Sequence, residues 1–87
     1  MKVSRTEVVA VLDAVIDGRL QRETVEAWAQ RRIDALDAGS LVFVPPESEG
    51  RLWEAISMLQ TIGAKSDAGV FVHSRRDLAD VRDRALH

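Results

Sequence analysis

Leu41-Val42-Phe43-Val44-Pro45-Pro46 is the stretch that decides how this chain folds. It has no helical polar face, it is rich in β-favouring side chains, and it ends at two prolines, which cannot donate to a ladder and force an extended entry. A short strand or extended plug is expected at Leu41 to Val44, inside a chain whose other long segments read as helix. The same tripeptide recurs at Val70-Phe71-Val72, and the two copies hold the only phenylalanines. Beyond the tripeptide the copies align only if Leu52 is matched to Leu78 with a two-residue shift, which argues against a duplication. The two segments are instead expected to pair with each other, residues 41–44 with 70–72, as at most a short two-stranded β ribbon of undetermined direction. A two-stranded ribbon is marginal alone and would have to lie on the helices. Both faces of each segment are apolar, so each should be buried on both sides or leave an adhesive edge.

Outward from this stretch the chain divides into four helical segments. Ser4-Arg5-Thr6-Glu7 matches a capping box, with Val3 and Val8 at staple spacing. The first helix then places Val8, Val11, Leu12 and Val15 on one face, Val9 and Ile16 at its edge and Asp13 and Asp17 opposite, and Gly18 stops it. After a short link with a second staple, Leu20 with Val25, the next helix is expected from Arg22 to Asp37. Its inward positions are Val25, Trp28, Ala29, Ile33 and Leu36, and Gly39 follows. The short link predicts an antiparallel hairpin. Beyond the prolines a third helix should run from about Glu47 to Ile62, with Leu52, Ala55, Ile56, Leu59 and Ile62 inward, Trp53 at the margin and Gly63 at its end. Lys65 to Gly69 is a turn-rich loop. Ser74-Arg75-Arg76-Asp77 is a capping-box variant opening a fourth helix that carries Leu78, Val81, Ala85 and Leu86.

At 87 residues the chain should form one domain, residues 1–87, with a single modest core. Twelve Lys and Arg against 14 Asp and Glu give a net charge of −2, without the positive field that nonspecific phosphate binding needs. Nucleic acid is therefore an unfavoured partner. The absence of cysteine excludes disulfides, thiolate catalysis and sulfur-ligated metal. No cationic leader with an apolar core precedes Val8 to Leu12, and no run is long enough to span a bilayer. The expectation is a cytoplasmic protein that does not engage membranes.

Among candidate sites, Glu23, Glu26, Gln30, Asp34 and Asp37 fall within about an 80° arc at 3.6 residues per turn, so four carboxylates share one strip. A solvated face explains most such strips. Asp34 and Asp37, however, occupy the last turn, where the helix dipole is negative and a carboxylate costs about 0.3–1 kcal/mol. A basic partner surface would relieve that cost. Trp53, off its helix's apolar centre, is the better placed tryptophan for a partner surface; Trp28 reads as core. Arg32 lies near the middle of an apolar arc, between Trp28 and Leu36. The structural explanation is a stem packed on Trp28 with the guanidinium reaching an acidic residue of a neighbouring helix or snorkelling out, and Arg82 invites the same reading. His73 beside Ser74, with Asp77 four residues on, does not make a nucleophile–base pair, because adjacent side chains on an extended segment diverge and Ser74 is better used as a cap. His73, Asp77 and Asp80 match no metal-ligand spacing. No phosphate-cradling loop is present, and no cofactor is implied.

The order of these features resembles the bacterial colicin-type immunity proteins and related small helical antitoxin-like proteins. The residues that carry the resemblance are Gly18-Arg19-Leu20 leading to Glu23 and Trp28-Ala29, then Leu52-Trp53 with Leu59, then Val72-His73-Ser74 with Asp77. They span about three quarters of the chain in loose order. Such proteins are compact helical bundles that neutralise basic nuclease toxins through acidic surfaces, so the resemblance implies a non-enzymatic inhibitor. The net charge of only −2, the basic cluster of the fourth helix and the strand-like Leu41 to Pro46 depart from it.

The expectation is thus a mainly α, four-helix bundle-like domain without catalytic machinery. It would bind a protein partner, such as a basic toxin, through Glu23, Glu26, Asp34, Asp37 and Trp53. The alternatives are a homo-oligomeric structural protein, pairing two copies through a strand edge or the Trp53 margin, and, less favoured, a helix-turn-helix-like DNA binder using Arg22, Arg31 and Arg32.

Overall fold

A computed structural model describes residues 1–86 of the chain. Four α-helices and one short parallel sheet form the domain: β1 (Lys2–Ser4), α1 (Arg5–Ile16), α2 (Arg22–Asp37), β2 (Val42–Val44), a 3-10 turn at Pro46–Ser48, α3 (Glu49–Gln60) and α4 (Arg75–Leu86). The mainly α bundle expected from periodicity is the architecture observed.

The sheet is not built from the two Val-Phe-Val copies. β2 pairs in parallel with β1, in the register Lys2 with Val42, Val3 with Phe43 and Ser4 with Val44. The amino end supplies a strand because Ser4, as N-cap of α1, must itself be extended, at φ −107° and ψ 158°. Val3 and Phe43, side by side in this register, both turn into the core, while Val42 and Val44 stay on an open outer face at 52% and 42% exposure. Alternation therefore replaces the expected two-sided burial. The second copy forms no strand. Its Phe71 makes a lone antiparallel bridge to Lys65, and Val70, Phe71 and Val72 are all exposed, since no apolar helix face is left to receive them.

The helix ends follow their sequence signals closely. Ser4 Oγ accepts from the Glu7 N–H at 3.0 Å, but only half of the expected box forms, because the Glu7 carboxylate is drawn to Arg32. A charge-assisted bond outcompetes a return to the cap N–H. At α4 the box is complete: the Asp77 N–H donates to Ser74 Oγ and the Ser74 N–H to Asp77 Oδ2. α1 and α2 end alike. Gly18 (φ 79°) and Gly39 (φ 73°) adopt the left-handed conformation, and Arg19 N–H to Ala14 O and Ser40 N–H to Ala35 O close two Schellman motifs. The expected third helix is shorter by two residues at each end: Pro46–Ser48 is 3-10, the α-helix begins at Glu49, and it stops at Gln60.

Val3, Val8, Leu12, Val25, Leu52, Ile56, Leu59, Ile62 and Leu78 are wholly buried and form the centre of one core. Burying each contributes about 1.5–3 kcal/mol relative to exposure. α1 packs chiefly on α4 and α2 chiefly on α3, while α1 and α2 touch little despite their short link. Among the described residues no helix is long and apolar enough to cross a membrane.

Candidate functional site

The acidic strip of α2 is split by the fold. Glu26 turns inward and accepts the Gly63 N–H at 2.5 Å, capping the chain just beyond α3. Gln30 accepts from the Gln60 amide at 2.7 Å and donates to Asp34 Oδ1 at 2.9 Å, tying the middle of the strip to α3. Glu23, Asp34 and Asp37 remain exposed. By helix rise alone, Glu23 and Asp37 stand about 21 Å apart, at opposite ends of α2. Among the described residues, Glu23, Glu26, Asp34 and Asp37 make no ion pair, whereas Glu7, Asp13 and Asp17 on or next to α1 each meet an arginine.

Near the carboxyl end of α2 the half-buried Trp53 opens onto a shallow groove of about 300 Å³, lined also by Leu36, Phe43, Glu49 and Gly50. A second, smaller depression over Leu41, Val42 and Pro46 shares Phe43 and Glu49 with it, so apolar surface continues from Trp53 toward the outer face of the sheet. Asp37 directly follows the groove residue Leu36 in α2, and Glu49 lines the groove itself. The structure thus sets Trp53 beside one end of the strip only.

The arginines within apolar arcs are structural. Arg32 stacks its guanidinium 4.2 Å above Trp28, donates to the Trp28 carbonyl and pairs with Glu7 at 3.1 Å, joining α2 to α1. Arg82 joins α4 to α1 through Asp13 at 3.0 Å, and that hydrogen bond, with the nearby charges of Asp13 and Asp83, holds its pKa above the ordinary guanidinium value. Ser74 is committed to its cap and His73 Nε2 lies 3.4 Å from Thr61 Oγ1, so the His73-Ser74-Asp77 triplet offers no nucleophile–base geometry. Among the described residues no cluster of His, Asp and Glu could hold a metal ion.

Arg22 has a larger role than the sequence suggested. As the first residue of α2 it donates from Nη1 to two main-chain carbonyls, Ile62 at 2.8 Å and His73 at 2.9 Å, and its guanidinium lies 3.9 Å from the centre of the Phe71 ring. It pins both ends of the loop between α3 and α4. Burial first, and the charge of Arg75 second, lower its pKa from the usual value. Around it lies a cleft of about 540 Å³, lined by Val15, Leu20, Glu23, Val70, Phe71 and Arg75 among others. Phe71, exposed on its loop, is an aromatic for which a cation is a suitable cover.

No family model matches the chain, and no solved structure matches it. The uncharacterised protein YxzC of Bacillus subtilis (strain 168) is similar, at 28% identity over 83 residues, covering 92% of this chain and 62% of that protein. The chain therefore spans less than two thirds of the length of this bacterial relative.

Proposed function

We propose that the chain is a non-enzymatic protein-binding module that offers the exposed carboxylates of α2 and the Trp53 groove to a basic protein surface. The observation that supports this is the unequal pairing of acids: those of α1 are matched by arginines, while Glu23, Asp34 and Asp37 have no cation among the described residues within ion-pair distance. A basic partner would supply the missing charge and relieve the dipole cost at Asp34 and Asp37. A tryptophan-lined depression beside Asp37 would give that contact an apolar anchor. A basic toxin, neutralised in the manner of immunity-type proteins, is the specific form of this reading. Affinity purification with mass spectrometry identifies the partner, and Glu23→Gln, Asp34→Asn and Asp37→Asn combined should then abolish capture while the fold persists. Capture that survives all three substitutions rejects the reading. Glu26 is left intact because its hydrogen bond to Gly63 is part of the fold.

A second reading, association of two copies, draws on the outer face of the sheet, where Val42 and Val44 are exposed on strands whose far edges are unpaired. Sedimentation at micromolar concentration decides it, and a strict monomer removes it. The DNA-binding alternative is less favoured, since two of its three arginines, Arg22 and Arg32, are engaged within the chain and only Arg31 is left exposed.

A further inference from the structure

We propose that the cleft between the α1–α2 turn and the segment Val70–Arg75 binds a phosphorylated small molecule, its phosphate held by Arg22 and Arg75 and its apolar body resting on Val70 and Phe71. This site is separate from the acid strip and from the Trp53 groove, and it does not depend on the protein-binding reading.

Three observations carry it. The cleft, about 540 Å³, is large enough for a phosphate with a small ring attached. Two of its lining side chains are guanidinium groups close enough that Arg75 lowers the pKa of Arg22, and among the described residues neither is paired with a carboxylate. Two guanidinium groups against the single carboxylate of Glu23 leave the cleft with a net positive charge, and a planar guanidinium pair suits the geometry of a phosphate. Arg22 is also fixed in place: Nη1 is held by the Ile62 and His73 carbonyls and the ring of Phe71 supports its plane, so its other N–H groups are oriented before a ligand arrives. Lys65, 5.0 Å from the same ring, adds a third cation on the aromatic's border. The apolar part of the cleft, Leu20, Val70 and Phe71 with the buried Val15 beside them, offers a surface for the ligand's body. One lining group opposes an anion, the carboxylate of Glu23.

The probes are phenyl phosphate, inorganic phosphate and benzoate, titrated by isothermal calorimetry or by NMR shifts of the 62–75 amides. Phenyl phosphate should bind most tightly, inorganic phosphate more weakly and benzoate weakest. Arg75→Gln, at an exposed side chain that makes no hydrogen bond in the described structure, should weaken phenyl phosphate roughly tenfold without unfolding the protein. Glu23→Gln should tighten it severalfold by removing the like charge. Phe71→Ala should reduce phenyl phosphate to the affinity of inorganic phosphate. Absence of any saturable binding up to millimolar probe, or binding indifferent to Arg75→Gln, would overturn the proposal.

Discussion

The Glu26 carboxylate reaches from α2 to the main-chain N–H of Gly63, just beyond α3, and occupies the space that a β-carbon at that position would need. An acid that looks solvent-facing by helical arithmetic is therefore a tie between two helices. Its contact explains why residue 63 is a glycine even though its backbone is not left-handed.

Glu26→Ala should cost about 1–2 kcal/mol, because a charge-assisted bond is lost and the Gly63 N–H is left without a partner. Gly63→Ala should cost a similar amount by driving the carboxylate away. The two changes remove the same interaction, so the double variant should be no less stable than the worse single one. Urea unfolding of the four proteins measures this, and simple additivity would contradict the contact.

Arg32 and Glu7 predict an asymmetry. The Arg32 side chain is 14% exposed and its Nε is buried without a partner, whereas Glu7 is 37% exposed. Glu7→Gln strands a nearly buried charge and should cost about 1 kcal/mol, discounted for the solvent that reaches Glu7. Arg32→Met keeps the packing on Trp28 and removes the charge, so it should be near neutral. Thermal unfolding should rank Arg32→Met above Glu7→Gln.

The repeated tripeptide allows a paired test. Phe43 is 6% exposed and Phe71 38%. Phe43→Ala should destabilise by about 3–5 kcal/mol through cavity formation in the core. Phe71→Ala should cost only about 1 kcal/mol, chiefly the lost cation–π contact with Arg22. Comparable losses at the two sites would refute their assignment to core and surface.

Ser4 serves the sheet and α1 together, as the last residue of β1 and the cap of the helix. Ser4→Ala should lower stability by about 1 kcal/mol. Amide exchange should quicken both at Glu7 and at Val42, whose N–H donates to Met1 O just before the adjoining strand. Quickening at Glu7 alone would show that helix and sheet are not coupled.

Much of the fold was legible because it is governed by local rules. Ser4, Ser74, Gly18 and Gly39 set helix ends through their own backbones, and the span of α2 from Arg22 to Asp37 follows from a periodic stripe between such signals. Partner choice between distant segments was not legible. Val42–Val44 could pair with any extended neighbour, and Lys2–Ser4 is too short to stand out as a strand until its cap geometry is known. The strip on α2 was visible as a pattern, yet the pattern could not say that Glu26 would be taken by a main-chain N–H more than thirty residues on. Arg22 was hidden for a similar reason: its partners are two carbonyls and a ring, none of which leaves a charge signature in the sequence.

The parallel pairing of β1 with β2 also orders events in time. Between the two strands lie both α1 and α2, so Lys2 to Ser4 have no ladder partner until Val42 to Val44 have been added to the growing chain. Closing so long a loop is slow compared with forming either helix. β1 should therefore gain protection from proteases later than α1 and α2, although it precedes both in the chain.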